Sequence, residues 1–234
     1  MHTERFNSNW LARKQVDMTE DEPKRQSTGF VLLVLVFSSH ALPFWVFAVV
    51  KYSPWSLLVD PIDRFNFEDL VFLVFSVSLI AHDPVGYGLR IGDGMRQKWR
   101  WVLLLCAIPV LLTAVIYPLL PIKPFSGYPV GMWLISPIAQ DLLFAGFLYR
   151  WFSVYFPGTL SETIPANRCI IFTAICFSLW HTPGFGVFSS SFVLFQLVYT
   201  FFGACLAGII RQWTGSIIYI IVVHMLVNCI AVHF

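Results

Sequence analysis

Polar and apolar positions fall in long blocks along this chain rather than alternating at strand spacing. Residues 1–28 are polar, with Glu4, Asp17, Glu20, Asp21 and Glu22 set against Arg5, Arg13, Lys14, Lys24 and Arg25. Seven apolar blocks follow, at roughly 30–50, 67–81, 101–120, 130–152, 169–181, 192–210 and 217–232. A membrane-spanning helix needs about 20 predominantly apolar residues. The pattern therefore predicts an all-α, polytopic transmembrane helical bundle of about seven spans. The second and fifth blocks are short, which predicts tilted, re-entrant or protein-buried segments. Pro43, Pro109 and Pro137 lie inside blocks, where neighbouring helices can satisfy the backbone groups a proline frees.

The expected organisation is a mobile cytoplasmic tail over 1–28 and one transmembrane domain over 29–234. The tail is too long and too acidic for the charged start of a signal peptide, and no small-residue cleavage site follows it. The first block is expected to act as an uncleaved anchor. Small residues spaced by four, Gly203 with Ala207 and Ala204 with Gly208, predict a close helix–helix contact. No internal repeat and no pair of broken helices in matching halves points to an inverted-repeat transporter.

Composition strengthens the membrane reading. Of the residues, 57% are hydrophobic and 12% charged, and the mean hydropathy is +0.72. Soluble domains carry about 25% charged residues. A net charge of +2 without a basic run gives no reason to expect nucleic acid. The expected partners are the lipid bilayer and a peptide or membrane-protein substrate. Cys106, Cys169, Cys176, Cys205 and Cys229 lie in or beside apolar blocks and form no Cys-x-x-Cys, so they read as small buried hydrophobes. Of the 15 Lys and Arg residues, Lys51, Arg64 and Lys123 fall in loops on one side. The rest fall on the other, which places the amino terminus in the cytoplasm and the protein in the cell membrane. On this count His181 lies near the outer face and His224 with Asn228 in the outer half of their helix, predicting access to the site from outside.

A few polar residues interrupt the blocks. Asp141 sits mid-block, where a carboxylate costs roughly 2.5–3.5 kcal/mol on insertion scales and is usually kept for a function. A structural Asp bonded to a polar neighbour is the plainer alternative. His181 ends the fifth block, one turn after Phe177. His224 and Asn228 are four apart in the seventh and share a helix face. His40 reads as a core histidine, and His82 with Asp83 as an interface turn. A carboxylate and two imidazoles make a competent zinc set, with Asp141, His181 and His224 as the candidate metal ligands. The same groups can activate water without a metal, as bases and oxyanion donors. No His-Glu-x-x-His and no Gly-x-Ser-x-Gly occurs. Ile91-Gly92-Asp93-Gly94 lies in a charged loop and is discounted.

Phe177-x-x-x-His181 and His224-x-x-x-Asn228, in this order and in apolar blocks, resemble two motifs of the CPBP family. These are intramembrane proteases of the CAAX prenyl protease type 2 and bacteriocin-processing kind. The lead-in Arg211-Gln212-Trp213-Thr214-Gly215-Ser216 and the setting of Pro137, Phe144 and Gly146 also resemble that family. The likeness covers about residues 86–234. It implies a CPBP-like core and an intramembrane endopeptidase in which activated water attacks the peptide bond. The family's first motif, Glu-Glu-x-x-x-Arg, is replaced here by Gln140, Asp141 and Ala145. The formal charge of the motif is kept. Gln140 has no carboxylate to take a proton, so Asp141 is the remaining base or ligand, and Gln140 can orient water or substrate. By the same resemblance His181 assists water activation, and His224 and Asn228 stabilise the oxyanion or hold a divalent metal such as zinc. The alternatives are a catalytically impaired binding or regulatory protein that keeps the cavity, and a small transporter with a proton path.

Overall fold

The computed structural model describes residues 67–91, 94–120, 133–156, 158, 167–182 and 188–233. All of them fall in one compact unit, Pro43–Phe234. The expected tail over 1–28, the first block, His40 and Pro43 lie outside the described residues. Among the described residues the regular structure is helical throughout: α1 (Phe67–Ile80), α2 (Gly94–Ile116) with a terminal 3-10 turn (Tyr117–Leu119), α3 (Ile135–Asp141), a π-helical segment (Leu142–Leu148), α4 (Tyr149–Tyr155), α5 (Arg168–Leu179), α6 (Ser190–Thr214) and α7 (Ile218–His233).

Two stretches are long and apolar enough to cross a bilayer, Lys98–Leu119 with 22 residues and Ser190–Thr214 with 25. At about 1.5 Å per residue both exceed the ~30 Å hydrocarbon thickness. Leu103, Leu104, Leu111 and Val115 on α2 and Leu194, Val198 and Phe202 on α6 are exposed. Apolar surface this extensive fits lipid contact and not water. The expectation of about seven spans is not reproduced by helix length. α1 has 14 residues, α5 has 12 and α7 has 16. The fourth block becomes three consecutive pieces of seven residues each, α3, the π segment and α4.

The prolines act differently from one another. Pro137 sits in the first turn of α3, where its missing N–H has no intrahelical partner to lose. Pro109 lies inside α2, and its carbonyl accepts from Thr113 Oγ1 at 2.6 Å and from Tyr199 OH on α6 at 3.3 Å. The non-helical residue in α2 is Lys98 (φ −120°, ψ 17°), not Pro109.

Two packed groups build the centre. Ile80, Tyr87, Val102, Leu142, Ala145, Ile210, Ile217 and Ile220 bring α1, α2, the π segment, α6 and α7 together. An aromatic chain runs from Phe72 to Trp180 (centroids 4.9 Å apart), Phe144 (5.5 Å) and Phe177 (5.1 Å). α5 lies along α6, and Gly208 marks that approach. A Cβ there would stand 2.7 Å from Ile170 Cγ2. The small-residue expectation thus holds at Gly208 and not at Gly203, which lines an apolar groove of about 280 Å3 with Pro109 and Tyr199. All five cysteines are free thiols.

The stretch Arg211–Ser216 turns the chain from α6 into α7. Gly215 takes the left-handed conformation (φ 68°), and its N–H bonds the Arg211 carbonyl at 2.8 Å, a standard helix stop. Ser216 Oγ then accepts from Ile218 N at 3.1 Å and starts α7. This turn sets the register of α7, and with it the positions of His224 and Asn228.

Candidate active site

Asp141 is the last residue of α3, at the point where the helix widens into the π segment. Such π insertions re-aim the side chains around them and are frequent at functional sites. Asp141 is 5% exposed. A carboxylate so far from water needs a partner, and its partner is His224, whose Nδ1 lies 3.3 Å from Asp141 Oδ2. The bond joins α3 to α7. With Nδ1–H donated to the carboxylate, Nε2 of His224 is the proton-accepting nitrogen.

His181 is set the same way by its own helix. Its Nδ1 donates to the Phe177 carbonyl at 3.0 Å, so its Nε2 is also an acceptor. The Phe177 ring, buried itself, meets both imidazoles edge-on, with centroids 5.2 Å from His181 and 5.8 Å from His224. Phe144 closes on Phe177 from the π segment. The four-residue spacing in Phe177-x-x-x-His181 thus has a physical meaning. The phenylalanine supplies the carbonyl that fixes one histidine and the ring that packs against both.

The remaining predicted residues are placed nearby but differently engaged. Gln140 donates through Nε2 to Ser136 Oγ at 2.8 Å, one turn back on α3. Ala145, where the family resemblance expects an arginine, is 7% exposed inside the apolar cluster. An arginine there would need a carboxylate, and position 140 holds none. Asn228 is half-buried one turn beyond His224 on α7.

The metal expectation was tested on the donor set. Asp141 and His224 touch, whereas His181 is oriented by the Phe177 carbonyl. Among the described residues no three His, Cys, Asp or Glu side chains form a group that could hold an ion. Nδ1 bonds to a carboxylate or a backbone carbonyl are also the usual second contacts of metal-ligating histidines.

Sequence reasoning missed a second polar centre, at the end of the bundle where α4 and α6 meet the turn over 81–91. Asp83 Oδ2 pairs with Arg150 Nη1 at 2.6 Å, and Asp83 Oδ1 accepts from Gly86 N at 3.0 Å. Asp83 is therefore a structural partner, not merely an edge residue. Tyr87 OH bonds His82 Nε2 at 3.2 Å while the Arg150 guanidinium covers its ring at 4.6 Å. Burial pushes the Tyr87 phenol above its ordinary range and the nearby Asp83 carboxylate adds to this, against the opposing pull of Arg150. Arg211 is buried here. The signal available in the sequence was its place directly after the 192–210 block, within reach of the helix that block forms.

Among the described residues the helical bundle brings together a carboxylate and two histidines, Asp141 bonded to His224 and both imidazoles packed on Phe177. A family model described as type II CAAX prenyl endopeptidase Rce1-like matches residues 99–230, more than half of the chain. The chain belongs to that family, and is a membrane protein of an endopeptidase family. No curated protein and no solved structure matches it.

Proposed function

We propose that the protein is an intramembrane endopeptidase that hydrolyses peptide bonds of membrane-associated substrates with an activated water. The observation that carries this reading is the hydrogen bond from His224 to the buried Asp141. Asp141 holds the imidazole in one tautomer and offsets the positive charge that forms when Nε2 takes a proton from water. His181, with Nε2 likewise unprotonated, is the second acceptor and assists the same water. The Asn228 side-chain amide is a donor suited to the oxyanion. Asp141 thus works as an orienting base partner rather than as a displaced copy of the family's first glutamate. The test is cleavage of a membrane-anchored peptide library, read by mass spectrometry. Asp141→Asn and His224→Ala are each expected to lose about 10²–10⁴-fold in rate, the size of general acid–base catalysis. The double variant should be little worse than the poorer single one. Full activity in Asp141→Asn would sink the assignment.

A second reading is favoured by one observation. Gln140 has no proton-accepting group, and its amide is already donated to Ser136. On that reading the cavity binds a membrane partner without cutting it. Gln140→Glu separates the two. If the wild type is already an enzyme, the change alters its rate by less than about tenfold, because the Asp141–His224 pair carries the proton transfer. A gain from no detectable cleavage to ready cleavage would show that the binding reading describes the native chain.

A further inference from the structure

The polar end of the bundle carries more positive charge than it neutralises. Arg211 is 6% exposed, so it is more than nine-tenths buried. A guanidinium has five N–H donors. Two of Arg211's are accepted at long range, by the Gly215 carbonyl from Nη1 at 3.3 Å and by the Gly86 carbonyl from Nη2 at 3.4 Å. Nε is buried with no hydrogen-bond partner among the described residues, and the guanidinium lies over the Tyr149 ring, 5.4 Å from its centroid. Among the described residues no carboxylate pairs with Arg211.

Two more guanidinium groups converge on it. Arg90 lies over the α6–α7 turn, so that a Cβ on Gly215 would stand 3.1 Å from its Nη2. Arg150 is held by Asp83 and rests on Tyr87. Each shares a glycine with Arg211, Arg90 at Gly215 and Arg150 at Gly86. Among the described residues the one carboxylate seen to pair in this group is that of Asp83, with Arg150. Gly86 and Gly88 let these guanidinium groups pack directly against the backbone of the turn. A Cβ on Gly88 (φ +93°) would collide with Arg211 Nη1, and one on Gly86 with Arg150 Nη1 and Asp83 Oδ2. A buried guanidinium with unused donors, such as that of Arg211, is costly unless a counter-charge completes it. Planar guanidinium forks match the oxygens of a phosphate.

We propose that Arg211, Arg90 and Arg150 form a binding site for a phosphate-bearing anion, separate from the Asp141–His224 site and independent of its reading. The anion would accept the unused Arg211 donors and offset the excess charge. It has two possible sources, the headgroup of an anionic phospholipid and a free phosphate. The site lies at the end of α6, a helix whose sides face lipid, so a headgroup reaches it directly.

The test uses the full chain in neutral detergent, with thermal unfolding followed by tryptophan fluorescence. It is titrated with phosphatidylglycerol, with phosphatidylcholine, and with inorganic phosphate at matched ionic strength. Phosphatidylglycerol is expected to raise the unfolding midpoint, and zwitterionic phosphatidylcholine to leave it unchanged. Arg90→Gln, an exposed position, should leave the ligand-free midpoint in place and weaken the phosphatidylglycerol response about tenfold, as for loss of one charge-assisted hydrogen bond. Arg211→Lys keeps the charge but loses the fork, and should weaken it at least as much. Stabilisation by phosphatidylglycerol alone assigns the site to lipid, and an equal response to inorganic phosphate assigns it to the free anion. If neither ligand stabilises, or if Arg90→Gln responds as the wild type does, the site is refuted.

Discussion

Two charges are buried in this bundle to almost the same degree, and they are held in opposite ways. Asp141 is bonded to an imidazole, a group able to take and give a proton. Arg211 is bonded to two backbone carbonyls, which do not titrate. The first pair can pass a proton without either group leaving its place. The second is a fixed charge that can only attract. A buried charge therefore indicates a site in both cases, and the chemistry of its partner says which kind. On the two proposals, the imidazole partner assigns Asp141 to a reaction and the backbone partners assign Arg211 to a ligand.

The comparison breaks most visibly at Phe177. Its ring touches both histidines and Phe144, and its carbonyl fixes His181. Phe177→Ala keeps the carbonyl and removes the ring. The expected loss is about 3–5 kcal/mol of stability, as for other buried Phe→Ala changes, seen as a lower unfolding midpoint in detergent. Cleavage should fall further than unfolding explains, because both imidazoles lose the surface that holds their planes. Phosphatidylglycerol binding at the Arg211 end should be unaffected in the fraction that folds. If both properties fall together, the two centres are one coupled unit and the contrast between them fails.

Gly88 tests the other side with a smaller effect. Its backbone is left-handed, and its carbonyl accepts from Ile217 N at 2.9 Å, tying the turn to the start of α7. Gly88→Ala strains the backbone and drives a methyl group into the Arg211 guanidinium. The expected cost is about 1–3 kcal/mol of stability, measured in the same unfolding experiment, with anion binding weakened because Arg211 must move. A neutral substitution would mean that Arg211 is not held where it is described.

Much of the fold was legible because bilayer solvation writes itself into the sequence as long apolar blocks. α2 and α6 follow directly from the 101–120 and 192–210 blocks. α1, α5 and α7 are helices at the expected places but are shorter than a bilayer is thick. Apolar composition alone does not distinguish a helix that faces lipid from one that faces other helices. The π segment after Asp141 was not legible, because Leu142–Leu148 has the composition of any apolar helix. In the candidate site, polar residues at bilayer depth pointed to Asp141, His181 and His224, since a polar group there is costly unless used. Their pairing was not legible. Zinc was expected from the residue types; the structure adds that each histidine is oriented through Nδ1, His224 by Asp141 and His181 by the Phe177 carbonyl. Arg211 was overlooked because a cation at a block's edge looks like an ordinary loop charge until the helix is seen to run on to Thr214.

The smallest effect is expected at Asp83, and it sharpens the contrast most. The Asp83–Arg150 pair is short, 2.6 Å, but its side chains are 39% and 32% exposed. Ion pairs in contact with water contribute roughly 0.2–1 kcal/mol, because solvent screens them and ordering both side chains costs entropy. Asp83→Asn keeps the size and the hydrogen bond to Gly86 N while removing the charge. Stability should drop by about 0.5 kcal/mol or less, and cleavage should stay at the wild-type rate, since Arg150 and Gly86, which Asp83 binds, lie outside the Asp141–His224 pair. Anion binding should move the other way from Gly88→Ala. With its one carboxylate neutralised, the cluster of Arg90, Arg150 and Arg211 attracts a phosphate more strongly, and the phosphatidylglycerol midpoint should shift to lower lipid concentration. A substitution that slightly weakens the fold and tightens the ligand separates a charge kept for binding from one kept for stability. Equal or weaker binding in Asp83→Asn would mean that Asp83 holds Arg150 in position for the anion instead of competing with it.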